Sequence, residues 1–162
     1  MGFFTKPEGS EELEPLSTER ITASFDARDA RYVVDDDGDV AGRWEDHLFY
    51  FFTLGNDGEI LQSRGRWARS IGPEHLAKVL EITNEWNAEK IWPKSYVRVE
   101  GTDGEELGIY AEVSTDLEHG ATDEQVDQLL GCGIASSLQF FAQLDEAFPE
   151  AVAAYQAQHP ED

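Results

Sequence analysis

Leu48-Phe49-Tyr50-Phe51-Phe52 is a continuous apolar run, followed by Gly55-Asn56-Asp57-Gly58 and then by Ile60 to Trp67. A run this short, rich in rings and closed by glycines that can take positive φ, reads as a strand, a turn and a second strand. Side chains that are apolar in both directions predict a central strand covered on both faces. Upstream, Tyr32-Val33-Val34 and Val40 to Trp44 flank Asp35-Asp36-Asp37-Gly38-Asp39, whose carboxylates and glycine are turn formers, so the meander extends toward the N-terminus.

Working outward, a helix is expected after the N-cap Ser17, running to about Ala30 with Leu16, Ile21 and Phe25 as its buried points. Gly72-Pro73-Glu74 opens a second, with Leu76, Val79, Leu80, Thr83 and Trp86 at helical spacing. Tyr96 to Glu100 and Glu106 to Val113 alternate apolar with polar residues and meet at Gly101-Thr102-Asp103-Gly104, which predicts a hairpin. Thr122 and Gln125 form a capping box for the last helix, whose stripe runs from Val126 to Phe148 before Pro149. A helix that long spans about 40 Å, more than a small sheet needs. Either it breaks near Gly131 and Gly133, or its far end packs on another subunit.

The fold class expected is α+β: an antiparallel sheet of about five strands with helices packed on it, in the order α-βββ-α-ββ-α. Residues 1–15 read as a flexible acidic leader, 16–149 as one domain and 150–162 as a mobile C-terminal tail.

Twelve Lys and Arg against 34 Asp and Glu give 12 − 34 = −22, a field that repels phosphate backbones and anionic lipids. Nucleic acid and membrane are therefore excluded as partners. Cys132 is the only cysteine, which rules out an internal disulfide and suits the cytoplasm. It lies among small residues, Gly131 to Ser137, and reads as a buried, inert thiol.

Asn84-Glu85-Trp86-Asn87, Ile91-Trp92-Pro93-Lys94-Ser95-Tyr96-Val97 and Asp116-Leu117-Glu118-His119-Gly120-Ala121-Thr122 together resemble the YbjN-domain family, its actinobacterial branch above all. The Asp35 to Asp39 cluster, Phe49-Tyr50-Phe51 and Arg64-Gly65-Arg66-Trp67 fit the same family in the same order, over residues 17 to 148. The resemblance implies a fold like the class I chaperones of type III secretion, a homodimer, and a label of sensory transduction regulator. No catalytic residue comes with it, and no cofactor is expected.

The residues by themselves assemble no catalytic site and hold no phosphate loop or dinucleotide fingerprint. Calcium at Asp35 to Asp39 fails, because with Gly38 at the sixth loop position Trp44 falls where a bidentate Glu belongs. Asp116, Glu118 and His119 lack further metal ligands at a usable spacing. The few cations are more informative. Arg64, Arg66 and Arg98 fall in strands, with Trp67, Trp92 and Tyr96 nearby, a set suited to binding carboxylates or acidic and aromatic peptide segments. The same arginines can instead pair across strands with Glu100, Glu112 or Glu45. The functional expectation is a non-enzymatic protein-binding module that holds a partner segment. The alternative is a small-molecule or metal-ion sensor built on the acidic loops.

Overall fold

The computed structural model describes residues 12–160. The N-terminal part of the leader, residues 1–11, lies outside them. Ser17 caps the first helix, α1 (Thr18–Asp26), by accepting from the Arg20 amide. The helix is shorter than its periodicity suggests, because Ala27 to Asp29 form a turn that brings Ala30 N–H back to Phe25 O. The strands β1 (Tyr32–Val34), β2 (Val40–Trp44), β3 (His47–Leu54) and β4 (Ile60–Arg66) then form a meander. Glu45 and Asp46, both at positive φ, make the two-residue turn between β2 and β3.

A 3-10 turn at Pro73–His75 leads into α2 (Leu76–Glu89), and β5 (Lys94–Glu100) and β6 (Glu106–Asp116) follow as a hairpin. The sheet has six strands rather than about five, all antiparallel, in the order β1-β2-β3-β4-β6-β5. The meander before α2 contains four strands, since the three-residue β1 counts as the first.

The last stripe forms α3 (Asp123–Ala147), with both halves of the Thr122–Gln125 capping box in place. It does not break at its glycines. Gly133 lies directly on Ser63 of β4, where a side chain would collide with the Ser63 hydroxyl, so the small residues serve close helix-to-sheet approach. Cys132 is a free, half-buried thiol rather than a buried one. Where a mobile tail is expected from residue 150, Pro149–Gln158 form a helix, α4, after a non-helical Phe148, and residues 161–162 lie outside the described ones.

All the helices that meet the sheet do so on one side: α1 on β2 and β3, α2 on β5, and α3 on β4 and β6. The core is the filling of that side, with Phe49, Phe51, Ile109, Phe140, Phe141 and Leu144 fully or almost fully enclosed. In α2 the buried residues are Val79, Ile82, Thr83 and Trp86, while Leu80 is half exposed. Arg20 ties the segment ahead of α1 to the start of α3. Its guanidinium donates to the carbonyls of Glu14, Pro15 and Ala121 and pairs with Asp123 at 2.7 Å.

Candidate functional site

Along β3 exposure alternates: His47, Phe49 and Phe51 are buried and Leu48, Tyr50 and Phe52 are not. The expectation that both faces of this strand are covered is therefore corrected. Among the described residues helices cover one face only, and the rings of Tyr50 and Phe52 stack on each other at 5.7 Å on the other. Strand register aligns the open face into rows. One runs Ala41, Tyr50, Arg64, Glu112, Lys94, and the next runs Arg43, Leu48, Arg66, Tyr110, Tyr96.

Charges on these rows are neutralised within the chain. Glu112, only 6% exposed, takes 2.7 Å from Arg64 Nε, 2.8 Å from Lys94 Nζ and 2.6 Å from Tyr96 Oη. Burial would push its carboxyl up, but the hydrogen bonds from Lys94, Tyr96 and Arg64 outweigh that and hold it below the usual carboxylate range. Glu100 likewise sits low, since the bonds from Tyr110 and Arg66 outweigh its partial burial. Arg66 Nη2 stands 2.8 Å from Glu100 and 3.5 Å from Glu106. Burial and the Glu112 carboxylate together raise the Tyr96 phenol. Arg64 and Arg66 thus pair across strands with two of the carboxylates the sequence offers. Their exposed edges, with Leu48, Tyr50, Phe52 and Tyr110, ring a hollow of about 310 Å³.

Of the other expected contact residues, Tyr96 joins this face and stacks on Tyr110 at 5.2 Å. Arg98 is exposed on the same face, and among the described residues it has no hydrogen-bonded partner. Trp92 is 52% exposed, but it lies in the connection before β5 and not in the rows. Trp67 does not belong to the surface. It is 1% exposed because strand alternation turns it toward the helices, where Nε1 donates to Asp145 at 2.7 Å. Asp145 also accepts from Arg69, whose guanidinium lies under the Tyr155 ring of α4.

The hollow's aromatic wall, Tyr50 and Phe52, and its floor at Leu48 were absent from the expected contacts. Their alternation with Phe49 and Phe51 carried no signal, because Leu48 to Phe52 is a continuous apolar run. The acidic loops close on themselves: Asp35 Oδ1 accepts from the amides of Asp37 and Asp39, and Asp116 Oδ1 from that of Glu118. Among the described residues no three His, Cys, Asp or Glu side chains are grouped to hold a metal ion. No helix among them is long and apolar enough to cross a membrane.

The geometry defines a class: an α+β domain with helices on one face of an antiparallel sheet and, among the described residues, nothing covering the second. Residues 17–146 match the YbjN family model, described as "Putative bacterial sensory transduction regulator", and the chain belongs to this family. The fold is similar to that of YbjN from E. coli, described as "a putative transcription regulator" (TM-score 0.71, 9% identity, 84% of this chain and 96% of that one). An uncharacterized protein from Methanothermobacter thermautotrophicus shares it more loosely (TM-score 0.53, 14% identity, 82% of this chain and 99% of that one). No curated protein matches the chain.

Proposed function

We propose that this chain is a non-enzymatic protein-binding module, regulatory or chaperone-like, that holds an extended segment of a partner protein on the open face of its sheet. The observation that carries the reading is the uncovered hollow bounded by Leu48, Tyr50, Phe52, Arg64, Arg66 and Tyr110. Aromatic rings beside guanidinium edges suit a peptide segment, with apolar side chains entering the hollow and polar groups meeting Arg64, Arg66 or the exposed Arg98. The family's regulator label supports a binding role. The actinobacterial branch and a cytoplasmic setting belong to the same proposal, the latter because a single cysteine suits a reducing compartment.

Charge reversal at Arg64 and Arg66 is a poor probe, since it would strand the carboxylates of Glu112 and Glu100. Leu48→Asp with Tyr50→Ala alters the hollow and leaves both ion pairs intact. Affinity co-purification from the native host, read by mass spectrometry, compares this variant with the wild type after matching their thermal melts. A protein enriched with the wild type and lost with the variant is the expected result. Enrichment that survives in the well-folded variant would remove the open face as the binding site.

A further inference from the structure

Past Leu48 the hollow on the open face continues toward β1. Val33 pairs with Ala41, which pairs with Tyr50, so the three share one row on that face. Val33, 64% exposed, Ala41 and Leu48 give a depression of about 450 Å³ its apolar lining, and Arg31 and Arg43 give it charge. Leu48 borders both depressions, which makes them one strip from β1 to β4.

These two arginines differ from the cations further along the face. Arg64, Arg66 and Lys94 pair with carboxylates of β5 and β6. At the other end β1, β2 and β3 contain no Asp or Glu, so the strands supply no counterion. Arg31 has no hydrogen bond or ion pair among the described residues. Arg43 donates to the Asp46 backbone carbonyl at 2.9 Å, whereas the Asp46 carboxylate lies by Arg69, at 3.9 Å. The chain has 34 Asp and Glu for 12 Lys and Arg, yet two exposed guanidiniums beside one apolar depression are left without a carboxylate.

We propose that the segment held on the open face carries a carboxylate, bound by Arg31 and Arg43, about three residues from the apolar side chain that fills the hollow at Tyr50 and Phe52. The sheet sets the spacing. The guanidiniums belong to the β1 and β2 side and the hollow lies between β3 and β4, two strand spacings or roughly 10 Å away, and an extended chain covers about 3.3 Å per residue. The planar fork of a guanidinium matches a carboxylate. A polyanion would meet the chain's field of −22 as a whole. One carboxylate among apolar side chains meets mainly the charges within a Debye length, about 8 Å at physiological salt, and here those include two cations without a carboxylate. The inference rests on the open face being a peptide site, and it specifies what that peptide contains.

The test is panning of a random peptide library, displayed on phage, against the immobilised full-length chain at about 0.15 M salt. Enriched sequences should share an apolar or aromatic residue with Asp or Glu about three positions away. Non-specific attraction to so acidic a chain would select Lys and Arg instead. Arg31→Gln with Arg43→Gln should weaken the most enriched peptide about tenfold in fluorescence anisotropy, with an unchanged thermal melt because neither side chain has an ion pair to lose. Arg31→Glu with Arg43→Glu should keep the apolar residue and exchange the acidic one for Lys or Arg at the same spacing. Enrichment of the apolar residue alone, or of an acidic residue that persists in the charge-reversed variant, overturns the carboxylate site and leaves the open face standing. Peptides that bind Leu48→Asp with Tyr50→Ala as well as they bind the wild type overturn the open face, and this inference with it. A wild type that enriches nothing overturns both.

Discussion

The two faces of the sheet are built from the same strands and differ in what they bury. On the helix face Phe49, Phe51, Ile109 and Ala111 are enclosed, and Gly65 is needed because a Cβ there would stand 2.8 Å from Phe49 and 2.9 Å from Phe141. The open face shows rings, arginines and glutamates in rows, nearly all satisfied within the chain. One face is packed for stability. The other is finished for water, with its apolar surface confined to a hollow.

The sharpest way to break this comparison is to truncate neighbouring phenylalanines of β3. Phe49→Ala should cost about 4 kcal/mol, a transfer loss plus a cavity. Phe52→Ala, half-buried under the Arg64 guanidinium, should cost about 1 to 2 kcal/mol. Urea denaturation measures both, and equal losses would mean that the open face is also covered.

A second difference is in pH response. His47, on the helix face, is 2% exposed, and its Nδ1 accepts from the Ala68 amide at 3.0 Å, so it is held neutral. Burial, helped by the Arg69 charge, lowers its pKa to about 4. A depressed histidine makes the unfolded chain bind the proton first. Its contribution is whole above the ordinary value near 6.5 and is lost as pH falls toward 4, on the order of 3 kcal/mol in total. His47→Gln should flatten the stability profile across that window, measured by denaturation at a series of pH values.

On the open face, Glu112→Gln should cost about 1 to 2 kcal/mol, a modest figure because Arg64 and Lys94 reach solvent. Wild-type Glu112 and Glu100 have depressed carboxyls. Their contribution is present above roughly pH 4.5 and fades below it, and the Gln variant should lose less in acid. The smallest effect is expected at Lys94, 66% exposed: Lys94→Met should change stability by less than about 0.5 kcal/mol in the same assay.

Helix starts were legible in the sequence because caps are local chemistry. Ser17 and the Thr122–Gln125 box each act within one turn. The hairpins were legible for the same reason, and so were Glu100 and Glu112 as candidate partners for the arginines. What stayed hidden depends on long-range packing. Leu48 to Phe52 has no polar residue to mark the open side, so the hollow could not be read from it. Trp67 shows that alternation was the better guide than residue type, since the rule that lifts Arg64 and Arg66 outward turns the tryptophan inward. In α4, alanines at Ala151, Ala153 and Ala154 supply helix propensity without an apolar stripe, so the segment resembled a tail.

The Arg20 clasp has a mechanical consequence. Helices α1 and α3 are the first and last elements of the family-matched region, and one guanidinium grips the backbone ahead of the first and the opening turn of the last. A pull on the leading segment is therefore shared with the longest helix in the domain instead of peeling the shortest one away. Whatever precedes the domain is tethered to its stiffest beam.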